Sequence, residues 1–327
     1  MRLEWRAIEL HPRHPWTIAR GTSTAKRNVL LRVSLAGTEG FGEAAPGDRY
    51  GENDRTVAKA LAILGERLAD VAAPPGGPSG ASPHGTSSIG PWLDDCLDRI
   101  EAALPGDRAA RAAVDIALHD WAGRRLGEPL YRRLGADPGR MPPTSMTIGL
   151  DAIPVMLEKV RKAEGFRILK VKVGTDRDRE ILKAIRGVTD RPLYADANEG
   201  WKDRDAALEM LRFMKDLGVV LVEQPLPAAD LEGARYLRER AGLPIFADEA
   251  VMDAADVDRV RGAFDGVNVK VQKAGGLRAA HRAIERAREH GMSVLLGCML
   301  ETSIGIGAAA HLAPLADHVD LDGHLLL

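Results

Sequence analysis

The sequence predicts an α/β protein: a (β/α)8-type, TIM-like barrel preceded by a smaller α+β domain. Three observations carry that reading. Short apolar runs recur at a near-constant interval through the latter part of the 327-residue chain. Amphipathic helical stretches separate them. The first third instead mixes strands, helices and a Pro/Gly/Ser-rich segment. That change of rhythm marks a first unit over about residues 1–135 and the barrel over 141–327.

In chain order, "LEWRAIEL" (3–10) and "NVLLRVSLAG" (28–37) read as strands, and "GTEGFGEAAP" (37–46) as a glycine-rich turn with a short strand. "DRTVAKALAILGERLADV" (54–71) has helical periodicity with an aspartate at its start. Residues 73–91, "APPGGPSGASPHGTSSIGP", have the composition of a mobile surface loop. Residues 107–126 form an amphipathic helix with Ala113, Ile116, Ala117 and Trp121 on or near one face, and "GADPGRMPP" (135–143) is a linker.

The apolar runs then begin near Met146 (MTIGL), Lys170 (KVKVG), Tyr194 (YADAN), Val220 (VLVEQP), Ile245 (IFADEA), Val267 (VNVKVQK), Ser293 (SVLLGC) and His318 (HVDLDG). Their intervals are 24, 24, 26, 25, 22, 26 and 25 residues. Helical stretches such as "DRDREILKAIRGV" and "LRAAHRAIERAREHG" fill the gaps. Eight units this regular favour closure into a barrel over an open doubly wound sheet. No dinucleotide-binding glycine fingerprint follows an early strand. In such a barrel, chemistry sits at the C-terminal ends of the strands.

Bulk properties exclude several classes. A formal net charge of −2 gives no global basic signature for nucleic acid, and no apolar stretch is long enough to span a membrane. The N-terminal residues lack the apolar run of a signal peptide, and two cysteines are too few for a disulfide framework or a thiolate metal site. These features fit a cytoplasmic protein, with a homo-oligomer left open, and do not identify its function.

Three consecutive strands deliver a carboxylate in the same relative place: Asp196 in "YADAN", Glu223 in "VLVEQP" and Asp248 in "FADEA", 27 and 25 residues apart. Neighbouring strands lie about 5 Å apart, so the three converge and repel unless a cation sits among them. Hard oxygen ligands suit Mg²⁺. One aspartate at a strand end would read more simply as a helix N-cap; three in register do not. The flanking strands supply lysines. In "RILKVKVG" (167–174) alternation sends Lys170 and Lys172 to one face, and "VNVKVQK" supplies Lys270. Pairing with the carboxylates accounts for one lysine more readily than for three. An ammonium beside another ammonium and a divalent cation deprotonates more easily. Lys170 is therefore expected to make Lys172 a base at neutral pH. Lys273 is expected on the other side of the strand or in the following loop.

Together "GFGEAAP", "ALHDWAGRRLGEPLYRRLG", "DANEGW", "VEQPL", "ADEA" and "VKVQKAGG" span nearly the whole chain. They resemble the enolase superfamily, in the branch with a K-x-K base on the second barrel strand and a lysine on the sixth. The resemblance implies that the first unit caps the barrel and that Asp196, Glu223 and Asp248 bind Mg²⁺. It makes Lys172 and Lys270 an acid/base pair on opposite faces of the substrate carbon. A lysine base with Mg²⁺ stabilising an enediolate is that superfamily's general pattern. Lys170 and Asn198 would support the site, with Glu249 a further partner.

Asp320 and Asp322 in "HVDLDGHLLL" alternate around Leu321 at the end of the eighth strand. Alone they read equally as a cap or turn; across the mouth from a metal they can hold a cationic group. The Asp-x-Asp resembles that of the superfamily's dipeptide epimerases, where it grips the α-ammonium. This implies epimerisation at the α-carbon of the second residue by two-base proton transfer. In "TIARGTSTAKRN" (17–28), "IARG" resembles the capping loop of Ala-Glu epimerases. It implies that Arg20 meets an acidic side chain, as in L-Ala-D/L-Glu, whereas Lys26 and Arg27 read as solvated. N-acylamino acid racemases and o-succinylbenzoate synthases share the lysines and metal but need no Asp-x-Asp. A muconate-type cycloisomerase would use an acid such as Glu301 in "MLETSIG", and a catalytically silent metal-binding relative would show no proton exchange. Relatives usually continue past the Asp-x-Asp with a segment that returns to the capping domain, where this sequence ends at Leu327. His324 stands where they often have proline.

Overall fold

The computed structural model describes residues 1–74 and 88–327, so most of the Pro/Gly/Ser-rich stretch lies outside the described residues. The first unit runs β1 (Arg2–Leu10), a small hairpin of β2 (Trp16–Ile18) and β3 (Gly21–Ser23), then β4 (Lys26–Leu35) and β5 (Thr38–Ala44). Strands β1, β4 and β5 form an antiparallel sheet in the order β1–β4–β5. Alternation along β4 buries Val29, Leu31 and Val33. They pack with Leu61 and Leu64 of α1 (Asp54–Leu68), Leu93 of α2 (Ile89–Ala103) and Val114 and Trp121 of α3 (Arg108–Leu126).

The glycine-rich stretch differs from its sequence reading. Its turn is confined to Ala36 and Gly37, with φ of 50° and 75°, the conformation a two-residue type I′ hairpin needs. Gly40 and Gly42 lie inside β5. A Cβ on Gly42 would stand 1.9 Å from the Ala113 carbonyl oxygen, and one on Gly40 2.1 Å from that of Ala117. These glycines therefore let the α3 backbone pack directly on the strand.

After the short α4 (Leu130–Arg133) come eight parallel strands: β6 (Ser145–Ile148), β7 (Ile168–Lys172), β8 (Leu193–Asp196), β9 (Val219–Glu223), β10 (Ile245–Ala247), β11 (Gly266–Lys270), β12 (Ser293–Gly297) and β13 (His318–Asp320). They pair in sequence order. Helices α5 (Ile153–Lys162), α6 (Asp178–Arg186), α7 (Arg204–Asp216), α8 (Leu231–Ala241) and α9 (Ala254–Val260) make the first five crossovers. The turn α10 (Val271–Ala274) with α11 (Leu277–Glu289), and then α12 (Ser303–Ala310), make the last two. The eighth strand leads only into a 3-10 turn, Gly323–Leu326.

The ring closes through a parallel bridge between Thr144 and Val319. Thr144 Oγ1 accepts from Leu321 N at 2.9 Å, and Asp322 Oδ2 from Thr147 N at 2.6 Å. Inside the barrel, Tyr194, Leu221, Phe246 and Leu295 form an apolar floor. Two residues further along the strands, alternation brings Asp196, Glu223 and Asp248 to the same interior. The floor excludes water below them, and the capping unit covers them above. Among the described residues, no helix is long and apolar enough to cross a membrane.

Candidate active site

A cavity of 760 Å³ lies between the C-terminal strand ends and the loops of the first unit. Its lining includes Trp16, Arg20, Tyr50, Lys172, Lys270 and Asp322. On its floor, one oxygen each from Asp196, Glu223 and Asp248 lies within 4.8 Å of the other two. All three side chains are buried. Burial, then the charges of Asp196 and, after the opposing pull of Lys170, Asp248, pushes Glu223 up to about 8. Burial works against ionisation of Asp248 too, but the ammoniums of Lys270 and Lys273 outweigh it and hold the carboxyl well below its ordinary value. The donor set, three hard carboxylate oxygens, fits a divalent cation.

The lysines bracket this cluster. Lys172 Nζ sits 2.6 Å from Asp196 Oδ2 and 5.6 Å from the centroid of the Trp16 ring. Lys270 Nζ sits 2.8 Å from Asp248 Oδ2. As alternation requires, Lys170 shares the face of Lys172, but anions dominate its surroundings. Its Nζ lies 3.1 Å from Asp196, 2.7 Å from Glu223 and 2.8 Å from Asp320. Burial alone would lower its pKa, yet the three carboxylates outweigh burial and raise it.

Across the mouth, Asp320 accepts from Ser145 Oγ at 2.6 Å and from Lys170. Burial, then the charge of Asp320, pushes Asp322 up to about 7. Asn198 Nδ2 donates to Glu249 Oε1 at 3.2 Å. Arg20 Nη1 donates to that same oxygen at 2.5 Å, to the Asn198 carbonyl at 2.9 Å and to Glu199 at 3.3 Å. Arg20 thus ties the β2–β3 hairpin to the barrel while lining the cavity.

Several members of the site were not visible in the sequence. Lys273 does leave the strand, as expected, but α10 turns it back. Its buried Nζ bonds to Asp248 Oδ1, to the Asp248 carbonyl at 2.6 Å and to the Val251 carbonyl at 2.9 Å. Asn268 donates to Glu223 Oε1 at 2.7 Å; its place two residues before Lys270 was the available signal. Arg49 makes a bidentate contact with Glu199 at 2.8 and 2.9 Å, a second tie between the units. Lys26, read as solvated, is half-buried and lines the cavity. Arg27 matches its sequence reading: it is exposed and pairs with Glu9 and Asp54. Asn198, Glu199 and Gln224 hold φ of 43°, 65° and 36° at the strand ends, a left-handed conformation costing about 1 kcal/mol or more each. Glu199 N donating to the Gln224 carbonyl at 2.9 Å locks two of them together.

Comparison with known proteins agrees with this geometry. Residues 155–324 match the family described as enolase C-terminal domain-like. An L-Ala-D/L-Glu epimerase of Bacteroides thetaiotaomicron is 38% identical, over 100% of this chain and 81% of that protein. A substrate-liganded L-Ala-D/L-Glu epimerase from Bacillus subtilis superimposes with a TM-score of 0.88 at 30% identity, covering 100% of this chain and 90% of that one. A dipeptide epimerase from Enterococcus faecalis, complexed with Mg and L-Leu-L-Tyr, gives 0.87 at 31% identity, covering 98% and 90%. With such relatives matched along its full length, and with the barrel and its carboxylate cluster in place, the chain belongs to the dipeptide epimerases of the enolase superfamily.

Proposed function

We propose that this protein epimerises a dipeptide at the α-carbon of its C-terminal residue, in a Mg²⁺-dependent reaction, by moving a proton between Lys172 and Lys270. One observation carries the reading: the two lysines meet the carboxylate cluster from opposite ends, Lys172 at Asp196 and Lys270 at Asp248. Asp196, Glu223 and Asp248 would hold the metal. When bound, Mg²⁺ neutralises these carboxylates and the charge that grows on the substrate's own carboxylate as the α-proton leaves. Lys270 would then be less strongly held as an ammonium, because the Asp248 carboxylate beside it would be compensated. One lysine takes the α-proton and the other, still protonated, returns a proton to the opposite face.

Asp320 and Asp322 supply the negative charge that an α-ammonium needs, which favours a dipeptide over an N-acylated amino acid. Lys170, fixed as an ammonium, keeps Asp320 in place. Asn198 and Glu249 hold the hairpin through Arg20. An acidic second residue, as in L-Ala-D/L-Glu, suits the cationic side of the cavity.

The test is proton NMR of L-Ala-L-Glu in D₂O with enzyme and Mg²⁺. The expected result is loss of the second residue's α-proton signal with growth of the other diastereomer, both abolished by EDTA. Exchange confined to N-succinyl amino acids would move the assignment to the acylamino acid racemases, and exchange with neither would refute it.

A further inference from the structure

The first unit brings one hydroxyl over the barrel mouth to which the proposed reaction assigns no task. Tyr50 closes a 3-10 turn, Asp48–Tyr50, between β5 and α1, and lines the cavity. The turn is tightly held. Tyr50 N donates to the Gly47 carbonyl at 2.8 Å and Gly51 N to that of Asp48 at 3.0 Å, with Gly51 at φ 73° ending the turn. A Cβ on Gly47 would stand 2.7 Å from Tyr50 Cδ2, so glycine is what leaves room for the ring against the backbone. Neighbours anchor the loop on both sides of Tyr50. Arg49 bonds to Glu199 of the barrel, and Glu52 Oε1 accepts from Ala109 N of α3 at 2.9 Å. A rigid support therefore presents the phenol to the cavity.

The surroundings of that phenol are those of the reaction. Tyr50 is half-buried, and its hydroxyl has no hydrogen-bond partner among the described residues. Burial is the main cause that raises its pKa well above the ordinary value; of the charges acting on it, Asp248 comes first, then Lys270, Glu249 and Arg20. Asp248 belongs to the carboxylate cluster, and Lys270 Nζ lies 2.8 Å from its Oδ2. The hydroxyl therefore stands toward the Lys270 end of the cluster, whereas Trp16 faces the Lys172 end. A phenol kept neutral in this place is a hydrogen-bond donor. A partly buried donor without an acceptor is unfavourable until one arrives.

We propose that Tyr50 is a further catalytic residue, whose hydroxyl donates a hydrogen bond to the α-carboxylate of the epimerised residue as charge grows there. This assignment rests on the dipeptide epimerase reading and goes beyond it. That reading brings the substrate's carboxylate to the cluster, beside Asp248, where the hydroxyl lacks an acceptor. The lysines move the proton, and Asp320 and Asp322 take the ammonium; Tyr50 does neither. It keeps its own proton throughout and supplies a fixed dipole. A donor held in place before the reaction costs no reorganisation as the charge develops.

The experiment is Tyr50→Phe, which keeps the ring against Gly47 and removes only the oxygen. In D₂O with Mg²⁺, α-proton exchange gives kcat and KM for L-Ala-L-Glu, L-Ala-D-Glu and L-Ala-L-Gln, per folded enzyme as counted by circular dichroism. The rise in Tm on adding Mg²⁺ is measured for both proteins, and it should be the same in each. The variant's kcat should fall by about 10- to 100-fold, as for one hydrogen bond to a charged group. Its KM should change by less than about threefold, because the bond strengthens only as the charge develops. All three substrates should lose equally, since each develops the same charge on the same carboxylate. A loss confined to the two glutamyl substrates would put the hydroxyl on the side chain, and one confined to a single diastereomer would put it on Lys270. Either result overturns the assignment, as does an unchanged kcat, a loss in KM alone or a lost Tm response to Mg²⁺. In all of these the epimerase reading survives through the wild type. Absence of exchange with every dipeptide in the wild type would overturn both.

Discussion

Glu301 offers a test of the site's electrostatics that does not depend on catalysis. Its buried carboxyl accepts from Met299 N through Oε1 and from Gln272 Nε2 through Oε2, both at 2.9 Å. Glu43 is its neighbour: a Cβ on Gly305 would touch both, 2.1 Å from Glu301 Oε2 and 3.2 Å from Glu43 Oε2. Burial first, and the charge of Glu43 second, push Glu301 up to about 7. An unfolded glutamate titrates near ~4.3. The fold therefore favours the protonated form. That contribution is complete below about pH 4 and is lost as pH rises through about 7, a difference of about 4 kcal/mol in all, of which about 3 kcal/mol falls between pH 5 and pH 8. Glutamine keeps the shape and stays neutral, so the stability of Glu301→Gln relative to wild type should rise between pH 5 and pH 8. With an unfolding entropy of about 0.7 kcal/mol/K for a chain this long, the gap is about 4 °C in Tm. Circular-dichroism melts of both proteins from pH 5 to 8 measure it, and all unchanged groups cancel in the difference. Parallel Tm profiles would refute the reasoning.

Three further outcomes follow from the same structure. Lys172→Ala and Lys270→Ala should each lower epimerisation by about 10²–10⁴-fold, while each still exchanges the α-proton of one diastereomer, the opposite one in the two variants; NMR in D₂O reads this. Gly42→Ala would put a Cβ 1.9 Å from the Ala113 carbonyl and force α3 off the sheet, a loss of about 3 kcal/mol in a urea titration. Lys170→Met should destabilise by about 3–5 kcal/mol, since Asp196, Glu223 and Asp320 all lose a buried ammonium. Asp320→Asn in that background should recover part of the loss.

The barrel was legible because its signal is redundant. Eight strands repeat one spacing, and the same alternation that buries Leu169 and Val171 outward sends Lys170 and Lys172 inward. The carboxylates were legible for the same reason, since a strand end is a fixed address in this architecture. What failed was whatever depended on a chain reversing or on two backbones touching. Gly40 and Gly42 look like turn residues until α3 is placed against them. Lys273 lies three residues beyond Lys270, out of phase with the strand, and only the helical turn α10 brings its ammonium back to Asp248. Glu199 carries no periodic signal at all. Its role depends on a left-handed backbone and on two arginines from loops about 150 and 180 residues away in sequence.

Lys170 shows why the two halves of the site were recognised separately but work as one. Its neighbours in sequence suggest only a cation beside Lys172, a helper that would lower its partner's proton affinity. In the folded barrel its ammonium touches Asp196 and Glu223 of the carboxylate cluster on one side and Asp320 of the Asp-x-Asp pair on the other. β13 pairs only with β12 along its length and meets β6 through a single bridge. The seam is therefore the weakest place in the ring, and it carries the two aspartates proposed to grip the substrate ammonium. Lys170 reaches across from β7 to bond one of them, Thr147 N holds the other, and Ser145 Oγ completes the tie. The groups that would fix the substrate's ammonium are thereby held at a set distance from those that would fix its carboxylate.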